Sequence, residues 1–183
     1  VNDLSDYAAY RSAISEHNVK KVCIIGAGLI GCEFANDLLN GGFEVDIVDP
    51  MSQCLPALLP ELAARALEKA LTSHGANFYF GPHVTSVNHI DGGLSVTLSD
   101  GNTLRADLVV SAVGVRPRKD LAKTAGIDVG RGIKTNQQLE TSNSNIFALG
   151  DCAEVCGHVL VYVAPLMAAA KALARTLSGQ PTD

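Results

Sequence analysis

Apolar residues run through the first half of the chain in two rhythms. Val22 to Ile25 is an unbroken apolar, β-branched-rich stretch closed by Gly26, the pattern of a strand buried on both faces of a parallel sheet. Ile30, Phe34 and Leu38 then step by four until Gly41-Gly42, which predicts a helix with one face on that sheet. A second strand follows from Phe43 to Val48. After a Pro-punctuated loop, Leu62, Ala66 and Ala70, with Leu67 and Leu71 beside them, mark another helix, and Asn77 to Phe80 a third strand. Ahead of this βαβαβ series, Tyr7, Tyr10 or Arg11, and Ile14 recur at helical spacing after the cap candidates Asp3 and Ser5. They predict an opening helix to about His17.

The rhythm changes after Phe80. Leu94, Val96 and Leu98 alternate with Ser95, Thr97 and Ser99 between turn signals at Asp91-Gly92-Gly93 and Asp100-Gly101, predicting an antiparallel meander over about His83 to Arg105. Asp107 to Val113 returns to buried-strand composition and runs into Gly114 and Pro117, where a first domain, residues 1–115, ends. Residues 116–183 carry a short helix near Lys119 to Thr124, strand-like Ile127 to Ile133, a buried strand Ile146 to Leu149 ending at Gly150-Asp151, and an Ala-rich helix from about Pro165 to Leu177. These elements are too few to close a sheet of their own.

Composition narrows the classes of partner. At 183 residues and 47% hydrophobic, the chain can bury one core and part of a second. A formal net charge of -5 offers no field for nucleic acid or an anionic membrane, so nucleic acid is not expected as a partner. No apolar run approaches the length of a membrane span, so membrane insertion is not expected, and residues 1–11 lack the pattern of a secretory signal. The cysteines, Cys23, Cys32, Cys54, Cys152 and Cys156, are odd in number and follow no disulfide framework, which predicts reduced thiols and a cytoplasmic protein.

The strongest chemical signal is Gly26, Gly28 and Gly31, a G-x-G-x-x-G series between strand and helix. Gly26 permits the turn off the strand, Gly28 removes a side chain where a pyrophosphate must approach backbone, and Gly31 lets the helix pack close. The phosphates would then lie on the positive end of the helix, over the amides around Ile30. Asp49, at the end of the second strand, is placed to accept hydrogen bonds from an adenosine ribose. With no Arg or Lys from Met51 to Pro60 to receive a 2′-phosphate, NAD is expected over NADP. The plainer alternative for Asp49 is an ordinary solvated strand-end acid before Pro50. The fold class is α/β: a Rossmann-like parallel sheet with βαβ units and a three-stranded antiparallel meander, followed by an incomplete segment of a second α/β domain.

GAGLIGCEFA after a strand, the meander, SAVGVRPR from Ser111 to Arg118 and TSNSNIFALGDCAE from Thr141 to Glu154 together resemble the pyridine-nucleotide-dependent FAD reductases. VNDLSDYAAYR and GLIGCEFANDL look most like the branch that feeds rubredoxin in alkane hydroxylation. The resemblance covers essentially the whole chain. It implies FAD and NAD as cofactors, with hydride passing from NADH to FAD and single electrons on to rubredoxin or a similar small carrier. It implies that residues 1–115 bind NAD and that residues 116–183 are part of an FAD domain. By the same resemblance Val113 and Gly114 border the NAD site, Glu33 lies near nicotinamide and flavin, Asp151 holds the FAD ribityl chain, and Val163 meets the isoalloxazine edge. Read from their positions alone, Glu33 is a helix-dipole acid, Asp151 a turn-capping acid and Val163 a core residue.

The family's N-terminal FAD motif and C-terminal domain are not in the chain, so it reads as an inactive piece of a longer enzyme, with apolar surface that favours self-association. No general base is required and no catalytic residue is named, since the cofactors supply the chemistry. A ferredoxin, peroxide or disulfide reductase of the same superfamily, or a flavin-free NAD-binding module, stays open. A thioredoxin-reductase-like protein does not fit, for want of a C-x-x-C. Cys152, Cys156 and His158 suit no common zinc module, and no metal is expected; His17, His74, His83 and His89 read as surface residues. From Arg116 to Lys134, six bases stand against Asp120 and Asp128, either a solvated face or a patch that steers an acidic carrier.

Overall fold

A computed structural model describes residues 3–16 and 18–180, Glu16 by its backbone alone. His17, where the opening helix was expected to end, lies outside the described residues. The chain divides into two compact units, Val1–Val115 and Arg116–Asp183.

In the first unit, α1 (Leu4–Glu16) precedes β1 (Lys21–Ile25), α2 (Leu29–Asn40), β2 (Glu44–Asp49), α3 (Glu61–Ser73) and β3 (Ala76–Phe80). The Asp3 carboxylate accepts the Asp6 N–H at 3.0 Å, capping α1 as expected of a short acid at that place. The meander is β4 (Val84–Ile90), β5 (Gly93–Leu98) and β6 (Thr103–Ala106), after which β7 (Leu108–Ser111) returns to the parallel sheet. That sheet has the order β3-β2-β1-β7, and all its pairs are parallel. The antiparallel sheet has the order β4-β5-β6.

Val22, Ile24, Val45 and Ile47 form the sheet's share of the main core, against Cys32, Ala35 and Leu38 of α2. Cys23 and Val48 point to the opposite face, where Val96, Leu98 and Ala106 of the meander cover them. The meander thus does the work a helix does elsewhere in a doubly wound sheet. On the same face the buried Asp46 carboxylate takes the Asn77 side-chain amide at 3.0 Å and faces Lys21 Nζ at 2.9 Å. That partner, and its hydrogen bond above all, raises the Lys21 pKa.

The face of α2 that the spacing predicts packs on the core, Leu38 within it and Ile30 and Phe34 against it. On α2 the wholly buried positions are Gly31, Cys32, Ala35 and Leu38, with Ile30 and Phe34 only half-buried at the flanks. On α3, Leu62 is 85% exposed and Ala66 and Ala70 are exposed, while Ala64 and Leu71 are buried and Leu67 packs beside them. The helix lies where Leu62, Ala66 and Ala70 mark it, with Leu67 and Leu71 on its packed side.

The second unit holds α4 (Asp120–Thr124), β8 (Ile133–Thr135), a 3-10 turn at Gly150–Cys152, β9 (Ala153–Val155) and α5 (Val163–Leu177). β8 and β9 pair in parallel. Two strand expectations fail here. Residues 127–132 form a turn closed by the Val129–Ile133 bridge, and the strand starts at Ile133. Residues 146–149 make only the Glu140–Phe147 bridge, and the regular strand comes later, at Ala153. The strand at 133–135 is anchored by Glu154, whose side chain accepts the Gly132 N–H at 2.9 Å; that bond, with one from the Arg131 backbone, lowers its pKa.

Candidate functional site

The loop from Gly26 to Gly31 is shaped by contacts that a side chain would break. Gly26 has φ +110, and a Cβ there would lie 2.6 Å from the Ala112 carbonyl oxygen. At Gly31 a Cβ would lie 2.0 Å from the Gly26 carbonyl oxygen, so bare backbone lets α2 start against the turn. Gly28 differs from both. Its backbone is ordinary, φ -74 and ψ -173, and a Cβ built on it meets no atom within 4 Å. The fold itself therefore makes no demand for glycine at residue 28, and the open side of its backbone is free for a ligand.

Gly28 is the N-cap of α2, and the helix ladder opens with Cys32 N–H donating to the Gly28 carbonyl at 2.9 Å. By helix geometry the amides of Leu29, Ile30 and Gly31 precede any i-4 partner, and they sit at the positive end of a 12-residue helix. This is the arrangement that receives a phosphate group. The Ile30 side chain packs on the core, so only its amide is offered here. Glu33, one turn further on, is exposed.

The loop after β7 lies beside the glycine loop. Ala112 N–H donates to the Ile25 carbonyl at 2.8 Å, and the Val113 amide nitrogen would be 3.4 Å from a Cβ on Gly26. Val113 is 73% exposed, and Gly114 takes φ +99 in open space. The carboxyl ends of β1 and β7 are neighbours in the sheet, and a crevice at such carboxyl ends is the usual ligand position in an open α/β fold.

Asp49 is neither solvated nor turned outward. It is 8% exposed; Oδ2 accepts the Ala27 N–H at 2.6 Å and Oδ1 the Met51 N–H at 2.8 Å. Both partners of this carboxylate are backbone amides, one of them within the glycine loop. Ala27 is tethered on its other side too, its carbonyl accepting the Leu55 N–H at 2.9 Å and the Cys32 thiol at 3.5 Å. The spacing of glycines and acid could not show this, because Leu55 and its left-handed φ of 45 are reached only through the fold. Cys32 and Cys54 are buried free thiols, and the neighbouring Cys32 together with burial pushes the Cys54 thiol up.

In the second unit Asp151 is exposed on the 3-10 turn, after Gly150 with φ +78. Val163 is the first residue of α5 and is 74% exposed, not a core residue. Pro165 has no N–H, so the N-terminus of α5 offers the amides of Val163 and Ala164. Among the described residues no group of His, Cys, Asp and Glu could hold a metal ion. Nor is any helix among them long and apolar enough to cross a membrane.

A family model described as pyridine nucleotide-disulphide oxidoreductase matches residues 1–173. The chain belongs to that family. Among its relatives is a rubredoxin-NAD(+) reductase of Alcanivorax borkumensis, 57% identical over the whole chain and 48% of the relative. Another, from Acinetobacter baylyi, is 49% identical over the whole chain and 47% of its own length. The structure resembles a crystal structure of a ferredoxin reductase from Rhodopseudomonas palustris, with TM-score 0.90 and 32% identity, over 99% of this chain and 46% of that one. The chain thus spans about half the length of the relatives it matches.

Proposed function

We propose that the protein containing this chain is an NADH-dependent FAD reductase that delivers single electrons to rubredoxin or a similar small iron–sulfur carrier in the cytoplasm. The observation that carries the reading is Gly28: a glycine the fold does not need, at the open N-terminus of α2, where a dinucleotide diphosphate would touch backbone. The rubredoxin-NAD(+) reductases it resembles over its whole length give the acceptor class. The five free cysteines suit a reducing compartment.

When bound, FAD accepts hydride from NADH and releases electrons singly, and the chain's residues supply position and field. The amides of Gly28 to Gly31 hold the NAD diphosphate. Val113 and Gly114 form the wall beside it, and exposed Glu33 is available to the nicotinamide end. Asp151 has a free carboxylate for a polyol chain, and the Val163 and Ala164 amides favour negative charge on a flavin edge. Arg116, Lys123 and Arg131 are exposed and add positive field for an acidic carrier.

The test is made on the full-length protein. It should carry yellow flavin absorbance, bleach on adding NADH without oxygen, and reduce rubredoxin. Gly28→Ala should keep the yellow colour yet bleach at least about tenfold more slowly at low NADH, since one methyl displaces the diphosphate. A colourless protein, or equal bleaching by the variant, contradicts the reading.

A further inference from the structure

The glycine loop is pinned at Ala27 from two directions, and peptide planarity turns that pinning into a statement about the next amide. In a trans peptide the C=O and N–H point in opposite directions. The Ala27 carbonyl is directed at the Leu55 amide, 2.9 Å away and within the core, so the N–H of the same peptide, that of Gly28, faces the other way. That other way is the side on which nothing lies within 4 Å of a Gly28 Cβ. The preceding peptide is fixed as well: its N–H, that of Ala27, is held by Asp49 Oδ2 at 2.6 Å, and its carbonyl, that of Gly26, lies against Gly31. Asp49 itself cannot swing freely, because Oδ1 is held by the Met51 amide at 2.8 Å.

We propose that Asp49 is a positioning residue for the phosphate loop: with the Leu55 amide it locks both peptides around Ala27, so that the Gly28 N–H is presented outward as the first donor to a nucleoside diphosphate. This rests on the reading of Gly26 to Gly31 as a dinucleotide site. It gives Asp49 a task that needs no ribose hydroxyl. The Ala27 amide is consumed by the carboxylate and is withheld from the ligand, which confines phosphate contacts to Gly28 and the amides after it.

A probe without ribose hydroxyls isolates that task. Binding of ADP and of 2′,3′-dideoxyadenosine diphosphate is measured by calorimetry on this chain and on Asp49→Asn, whose amide group cannot accept from both Ala27 and Met51. The proposal predicts that the variant weakens both probes by the same factor, about tenfold, the loss typical of one charge-assisted hydrogen bond. If the variant weakens ADP alone and binds the dideoxy probe like the parent, Asp49 acts on the sugar and the proposal is overturned. If the unsubstituted chain binds neither probe nor NADH, the dinucleotide reading falls and this proposal with it. A second measurement needs no variant: on adding the dideoxy probe to nitrogen-15-labelled chain, the Gly28 amide resonance should move strongly and that of Ala27 little. The reverse order overturns the proposal even where Asp49→Asn fails to fold.

Discussion

Gly31 and Gly28 belong to one motif and answer to different forces. An added methyl at Gly31 would sit 2.0 Å from a carbonyl oxygen of the backbone, which no rotamer change relieves. Gly31→Ala is therefore predicted to cost about 3 kcal/mol, at the upper end of overpacking effects, and to lower Tm by more than about 5 °C in a calorimetric scan. A Tm within about 1 °C of the parent would show that the loop yields. The need for glycine at residues 26 and 31 could be read from strand, turn and helix in succession. The inward turn of Asp49 could not, because its partners, Ala27 and Met51, are backbone groups whose direction depends on how the loop folds. Of the two readings of Val163, a flavin-edge contact implied by resemblance and a core residue by its apolar side chain, the core reading fails, because its position as the first residue of α5 leaves it 74% exposed.

Among the elements, those with a long run and a strong period were legible: β1, α2, β2, β3 and the meander lie where the pattern puts them, within a residue or two. The helix that Leu62, Ala66 and Ala70 mark is α3, while its packed face falls to Ala64, Leu67 and Leu71, which the step of four does not single out. In residues 116–183 the regular strands are three residues each, too short to show a period, and Ile146 to Leu149 was read as a strand from composition alone. At the join of β1 and β7, Asp107 Oδ2 accepts the amides of Lys20 and Lys21, each at 2.9 Å. Those bonds, the Lys21 one foremost, hold its pKa below the usual 3.8. A depressed folded-state value stabilises the fold above the unfolded pKa, and the stabilisation is lost as pH falls through the folded value. The parent should thus lose stability below about pH 4, and Asp107→Asn should lose less over the same fall. Parallel acid-unfolding curves for the two would contradict this.

At the scale of the molecule, the chain spans about half the length of the relatives it matches. Leu160, Val161, Tyr162, Val163 and Met167 lie exposed at and before the start of α5. The isolated chain is predicted to self-associate at tens of micromolar, with Val163→Asp combined with Met167→Lys shifting light scattering toward monomer. A parent already monomeric would refute this. The central claim, that the α2 N-terminus holds a dinucleotide diphosphate, is tested most directly by titrating NADH into this chain and into Gly28→Ala in a calorimeter. The account predicts binding by the parent, at least about tenfold weaker binding by the variant, and a Tm for the variant within about 2 °C of the parent, since the methyl meets no protein atom. Equal NADH affinity in two equally stable proteins would contradict it.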